Sequence, residues 1–297
     1  MPTAPAADVV IDDALVADLL AEQAPDLADL PRSAFDSGWD NELYQIGDGL
    51  IARFPRREAS SSLVENEVRW LPRLAVGLDV DVPQPVFVGR PSERYPWVWS
   101  VVNLIPGVGA SRVTPAERTG FAEQLADALW CLHLPASPDA PLNPVRGVSL
   151  AQERFDARVR ERAAGFAEAD ALLARWDAWS HAPEFDGVDV WVHGDLHPHN
   201  LITDGHGTLT GIIDWGDLTA GDPATDLATA WLTFDADGRR IFTERLDDGG
   251  LVDAATWQRA KAWALHLGLI FATMSDDSPE LFAVGQHTLA QVLAEPV

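Results

Sequence analysis

The chain has 297 residues and a formal charge of −25, with 46 acidic against 21 basic side chains. That balance argues against nucleic acid or an anionic membrane as a partner, since both are polyanions. No apolar run approaches the ~18 residues of a membrane span, and a lone cysteine, Cys131, excludes an intrachain disulfide and a cysteine-based zinc site.

Residues 1–10 lack the basic start and apolar core of a signal peptide, so a cytoplasmic location is expected. Residues 12–24 read as a helix, with Leu15, Leu19 and Leu20 at helical spacing and Pro25 as a stop. A β-hairpin is expected around Gly47-Asp48-Gly49, flanked by Leu43, Tyr44, Ile46, Leu50, Ile51 and Phe54. Residues 61–74 suggest a second helix that Pro72 would end or bend, and residues 86–89 and 97–102 another strand pair. This mixed lobe is expected to span residues 1–103 and to carry a charge of −9; residues 104–297 carry −16.

The second lobe reads as mainly helical. Phe121, Leu125, Leu129 and Leu132 form one stripe, residues 135–144 a Pro-rich connector, and residues 150–179 one long helix. Residues 256–275 and 281–293 suggest two more helices. Between them, residues 201–203 and 209–213 form strands about the turn Asp204-Gly205-His206-Gly207.

Two motifs in this region carry chemistry. His193-Gly194-Asp195-Leu196-His197-Pro198-His199-Asn200 follows the apolar lead Val190-Trp191-Val192, and Ile212-Ile213-Asp214-Trp215 closes the hairpin. Asp195, at a tight turn, can accept a hydroxyl proton or orient the hydroxyl for in-line attack. Asn200 offers a neutral oxygen and Asp214 an anionic one, and the hairpin would return the second to the first. Two such ligands, with nucleotide phosphates and water, suffice for Mg2+.

With those residues in hand, the chain resembles the aminoglycoside phosphotransferase family, small-molecule kinases whose pattern is His-Gly-Asp-x-His-x-x-Asn followed by Ile-Asp-Trp or Ile-Asp-Phe. The resemblance implies an α+β, bilobal protein-kinase-like fold, with a small N-terminal antiparallel-sheet lobe and a larger, mainly helical C-terminal lobe. It implies Asp195 as the catalytic base, Asn200 and Asp214 as magnesium ligands, and ATP or GTP as phosphoryl donor. His193 would buttress the catalytic loop, and Asp222 would tie down the loop after the metal site. The nucleotide-covering loop between the first two strands would be residues 37–44, with Ser37, Gly38 and Asn41 at the phosphates; purine contacts would come from the backbone of the connector, residues 100–104, at Val101 and Asn103.

The family's phosphate-clamp lysine has no counterpart, because the chain's single lysine, Lys261, lies in a late helix. Arg53 is the candidate in its place, with Glu67 as partner. Arginine keeps its charge and binds phosphate bidentately, with a different reach.

The acceptor is expected to be a small molecule with a hydroxyl, and a cationic one would suit Asp217, Asp235, Asp276, Asp277 and Glu280. An aminoglycoside fits this set. Trp215, Trp231 and Trp263 would instead suit a bulky apolar acceptor such as a macrolide. Two other classes compete: a zinc hydrolase built on the alternating His193, Asp195, His197 and His199, and a nucleotide-binding protein without transfer activity. Pro198 interrupts the strand that the first needs.

Overall fold

The computed structural model describes residues 6–250, 252–275 and 278–297. Helix α1 (Asp13–Gln23) is capped by Asp12, which accepts the Leu15 amide at 2.9 Å, and the single turn α2 (Pro25–Ala28) follows. Next come β1 (Arg32–Ser37), β2 (Asn41–Ile46), β3 (Leu50–Pro55), α3 (Glu58–Leu74), β4 (Pro85–Gly89) and β5 (Trp99–Asn103). The strands form one antiparallel sheet in the order β1-β2-β3-β5-β4. The expected hairpin is β2–β3, with Ile46 opposite Leu50. Strand β1, which the resemblance places ahead of the covering loop, is an edge strand exposed along nearly its whole length, so no alternation in the residues marks it.

One face of the sheet is covered by α1, whose Val16, Leu19 and Leu20 pack on Tyr44, Ile46, Phe54 and Trp99. Phe54 stacks on Trp99 at 5.0 Å and meets Tyr95 edge-on at 5.7 Å. The Tyr95 hydroxyl donates to the Pro55 carbonyl at 2.7 Å, which satisfies its buried polar end.

Helix α3 buries Ser60, Val64, Glu67, Trp70 and Leu71 at helical spacing. It starts at Glu58 and runs through Pro72 to Leu74, so the proline costs one amide near the end without stopping the helix. Trp70 and Leu71, with Val82, belong to the larger core of the C-terminal part, and Trp70 meets Trp191 at 4.9 Å. The larger core therefore begins well before residue 103.

The C-terminal part contains β6 (Val108–Gly109), α4 (Pro115–Arg118), α5 (Ala122–Leu132), α6 (Glu153–Ala163), α7 (Ala169–Trp179), β7 (Val190–Val192), β8 (Leu201–Thr203), β9 (Leu209–Ile212), β10 (Thr219–Gly221), α8 (Ala224–Leu227), α9 (Thr229–Thr233), α10 (Ala236–Asp247), α11 (Ala254–Met274) and α12 (Pro279–Ala294). The single long helix expected over residues 150–179 is two helices, α6 and α7, broken around Gly165. A straight helix of that length would span about 45 Å. Breaking it lets Phe155 of α6 and Trp176 of α7 converge on His266 of α11, with Trp176 donating to Asp156 at 2.9 Å.

Two small sheets position the motifs. Strands β8 and β9 form the expected hairpin, joined by β6, and β10 returns antiparallel to β7. Among the described residues no helix is long and apolar enough to cross a membrane.

Candidate active site

Strand β7 delivers the turn His193-Gly194-Asp195. Gly194 takes φ +91°, where a side chain would be strained and would also crowd the Asp217 carbonyl. The turn is held from below by Asp226 of α8, which is fully buried and accepts the His193 amide at 2.8 Å, the Gly194 amide at 2.9 Å and His133 Nε2 at 3.1 Å. His193 ties the two motifs together: Nε2 lies 3.1 Å from the Ile213 carbonyl, while Nδ1 accepts the Asp195 amide at 3.2 Å. Its ring rests on Trp215 at 4.6 Å.

The hairpin brings Asp214 back to Asn200, as the Ile213 amide donates to the Asn200 carbonyl at 2.9 Å. Asn200 Nδ2 donates to the Asp195 carbonyl at 2.8 Å, which commits the amide nitrogen to protein and leaves Oδ1 without a hydrogen bond among the described residues. Asp214 is exposed and adopts φ 60° and ψ 66°, the one positive-φ residue besides glycine among the described residues. Its carboxylate accepts no hydrogen bond from them. One carboxylate and one amide oxygen, both unclaimed, form a donor set that suits a hard divalent cation.

Asp195 is flanked on both oxygens. His197 Nε2 lies 3.2 Å from Oδ2, and Arg146 Nη2 donates to Oδ1 at 3.2 Å. Burial works to raise this carboxyl, but His197, Arg146 and His193 hold it well below the usual carboxylate range. Arg146 also stands 3.4 Å from Asp217, which accepts from Asn143 at 2.8 Å. Neither Arg146 nor Asp226 was marked by the sequence. Asp226 lay inside the run Gly221-Asp222-Pro223-Ala224-Thr225-Asp226-Leu227, where Asp222 drew the structural reading. Asp222 accepts the Ala224 amide at 3.0 Å and pairs with Arg259 at 2.7 Å.

On the opposite side, Arg53 of β3 and Glu67 of α3 form a buried ion pair. Burial opposes the charge on Arg53, but Glu67 and then Asp214 raise its pKa above the ordinary value. Glu67 Oε2 is buried without a hydrogen-bond partner. Ser37, Gly38 and Asn41 lie at the β1–β2 turn: Ser37 donates to Glu42 at 2.8 Å, the Gly38 carbonyl accepts from Arg56 at 2.8 Å, and Asn41 Oδ1 is buried without a partner. Asn103 ends β5. Val101 pairs with Ala52 and Phe87 inside the sheet, with its side chain in the small core.

Of the carboxylates expected on the acceptor side, Asp217 stands beside Arg146, and Glu280 accepts from Arg112 and Ser111 at 3.2 Å and lies 3.4 Å from His199. Asp235 does not join them. Its carboxylate caps α10 on the Gly238 amide at 3.0 Å and accepts from Thr119. Asp276 and Asp277 lie outside the described residues. Trp215, Trp231 and Trp263 are core residues, at 0%, 3% and 1% exposure. The zinc alternative meets a geometric obstacle, because both nitrogens of His193 are committed within the protein and no cluster of three His, Cys, Asp or Glu ligands occurs among the described residues.

A small antiparallel sheet over a helical body, with an Asp–Asn–Asp group in the body and an Arg–Glu pair facing it, defines a kinase-like phosphotransferase. Residues 32–263 match the phosphotransferase enzyme family, APH, and the chain belongs to that family. Viomycin phosphotransferase of Streptomyces vinaceus is 27% identical over 261 residues, covering 80% of this chain and 85% of the relative. The uncharacterized protein YcbJ of Bacillus subtilis is 24% identical over 220 residues, 67% of this chain and 68% of that one. Among solved structures, the GDP complex of wild-type aminoglycoside 2'-phosphotransferase-IIIa aligns with a TM-score of 0.69 at 19% identity, covering 96% and 99% of the two chains. The apoenzyme of macrolide 2'-phosphotransferase MphH from Brachybacterium faecium aligns at 0.61 and 24%, again covering 96% and 99%. These two share the fold.

Proposed function

We propose that the chain transfers the terminal phosphoryl group of ATP or GTP to a hydroxyl of a small antibiotic molecule, of the aminoglycoside type. The observation that carries this reading is the convergence of Asp195, Asn200 and Asp214, the last two with unclaimed oxygens. Asp195, kept ionised between His197 and Arg146, is a weak base. Its part is to orient the acceptor hydroxyl, which is what a loose phosphoryl-transfer transition state asks of it. Magnesium, held by Asn200 Oδ1 and Asp214, would neutralise charge on the nucleotide phosphates. Arg53, fixed by Glu67, would engage the phosphates from the sheet side.

The relative named for viomycin and the structural neighbours named for aminoglycosides and macrolides support an antibiotic acceptor. Asp217 and Glu280 lie beside the site but already pair with Arg146 and Arg112, so a cationic acceptor rests on the antibiotics named for those relatives. The macrolide alternative loses the feature that suggested it, since the three tryptophans are buried in the core.

The test is a phosphotransfer screen of purified protein with ATP and with GTP over aminoglycosides, viomycin, macrolides and simple alcohols. Turnover of an aminocyclitol is expected, and its absence across the panel sinks the aminoglycoside reading. Asp195→Ala is expected to abolish turnover and spare nucleotide binding; nucleotide binding with no turnover in either protein would instead favour a protein without transfer activity.

A further inference from the structure

Arg146 occupies a loop fixed with unusual care for a connector. The Asn143 amide donates to Thr219 Oγ1 at 2.9 Å, the Gly147 amide to Thr225 Oγ1 at 3.0 Å, and the Asp222 amide to the Gly147 carbonyl at 3.0 Å. Gly147 takes φ +65°, and a side chain on Gly221 would overlap its carbonyl, so the loop and β10 meet backbone to backbone. The guanidinium between these anchors spans two carboxylates, with Nη2 3.2 Å from Asp195 Oδ1 and Nε 3.4 Å from Asp217 Oδ2. Nε is buried and makes no hydrogen bond. Asp217 is itself steadied by Asn143 from the same loop. A surface ion pair needs none of this, and a partner for Asp195 is already present in His197.

We propose that Arg146 is a positioning residue for phosphoryl transfer, pinning the Asp195 carboxylate against Asp217 so that one orientation of it meets the incoming hydroxyl. The role rests on the phosphotransfer reading above. Arginine suits it because a rigid planar fork addresses two carboxylates at once, where the point charge of lysine addresses one. Held only at Oδ2, by His197 at 3.2 Å and Asn200 Nδ2 at 3.4 Å, Asp195 would have Oδ1 untethered and could swing out of alignment with the acceptor, and misalignment is costly in transfer reactions.

The experiment measures kcat, both KM values and thermal stability for Arg146→Met and Arg146→Lys, using the first acceptor of the screen that the wild type turns over. Arg146→Met is expected to lower kcat about a hundredfold, the scale of losing one preorganised charged group, with nucleotide KM within about twofold. Arg146→Lys is expected to recover about tenfold of that loss. The proposal is overturned by unchanged kcat in Arg146→Met, by a change confined to acceptor KM, or by equal losses in both variants that follow their thermal stability. A wild type that turns over no acceptor overturns it together with the phosphotransfer reading, whereas an active wild type with an unimpaired Arg146→Met overturns it alone.

Discussion

Asp226 gathers two consecutive backbone amides and a histidine in a fully buried position, so its charge is matched by donors and the His193-Gly194-Asp195 turn is held in one shape. Asp226→Asn keeps the volume but offers one acceptor oxygen, leaving an amide unsatisfied. A loss of about 1–3 kcal/mol is expected in urea denaturation, with kcat falling beyond what the unfolded fraction explains. His266 makes a separate point. Burial, with Arg146, Arg162 and Arg158 around it, pushes its pKa down to about 3 from the ordinary 6.5. Between those values the unfolded chain binds a proton that the folded protein excludes, so stability falls as pH is lowered through that window. His266→Phe, which suits the aromatic surroundings of Phe155, Trp176 and Trp263, is expected to flatten the acid limb of a Tm-against-pH curve; an unchanged limb would contradict the assignment. Asp195, Asn200 and Asp214 could be read in the sequence because they sit within one loop and one hairpin, where spacing fixes geometry. Arg146 and Asp226 could not, since they reach Asp195 and Gly194 across 49 and 32 residues, and only tertiary packing brings them there.

At the scale of elements, α3 links the site to the core of the C-terminal part. One stretch of it holds Glu67 against Arg53, and the next turn buries Trp70 against Trp191 beneath Arg69 and Arg73. Trp70→Ala is expected to cost about 3–5 kcal/mol and also to weaken nucleotide binding, because the helix that aims Glu67 loses its anchor. Leu19→Ala, in the small core on α1, is expected to cost about 2–5 kcal/mol with nucleotide affinity unchanged. Equal effects of the two on nucleotide titrations would refute the distinction. Helix α3 was visible in the sequence through its apolar spacing, whereas the break between α6 and α7 was not. Residues 164–168 contain one glycine and no proline, and the turn there is imposed by the need of both helices to pack on α11. Strand β1 was hidden for the opposite reason, having too little buried surface to leave a pattern.

The whole molecule carries 46 acidic side chains against 21 basic ones, so self-repulsion acts on the folded state at low ionic strength. Adding sodium chloride from about 0.05 to 0.5 M shortens the screening length severalfold and is expected to raise Tm. A fall would mean that ion pairs such as Arg259 with Asp222 outweigh the repulsion. The two-part architecture followed from the motifs, but the depth at which the parts interlock did not, because the same helix spacing serves either core. Trp70, Leu71 and Val82 are chain from the N-terminal side built into the C-terminal core. A fragment ending at Asn103 would carry those side chains into water, and its complement would be left with a hollow beside Trp191. The end of the sheet is thus a poor place to cut the gene for expression of halves, and calorimetry of the intact chain is expected to show one transition.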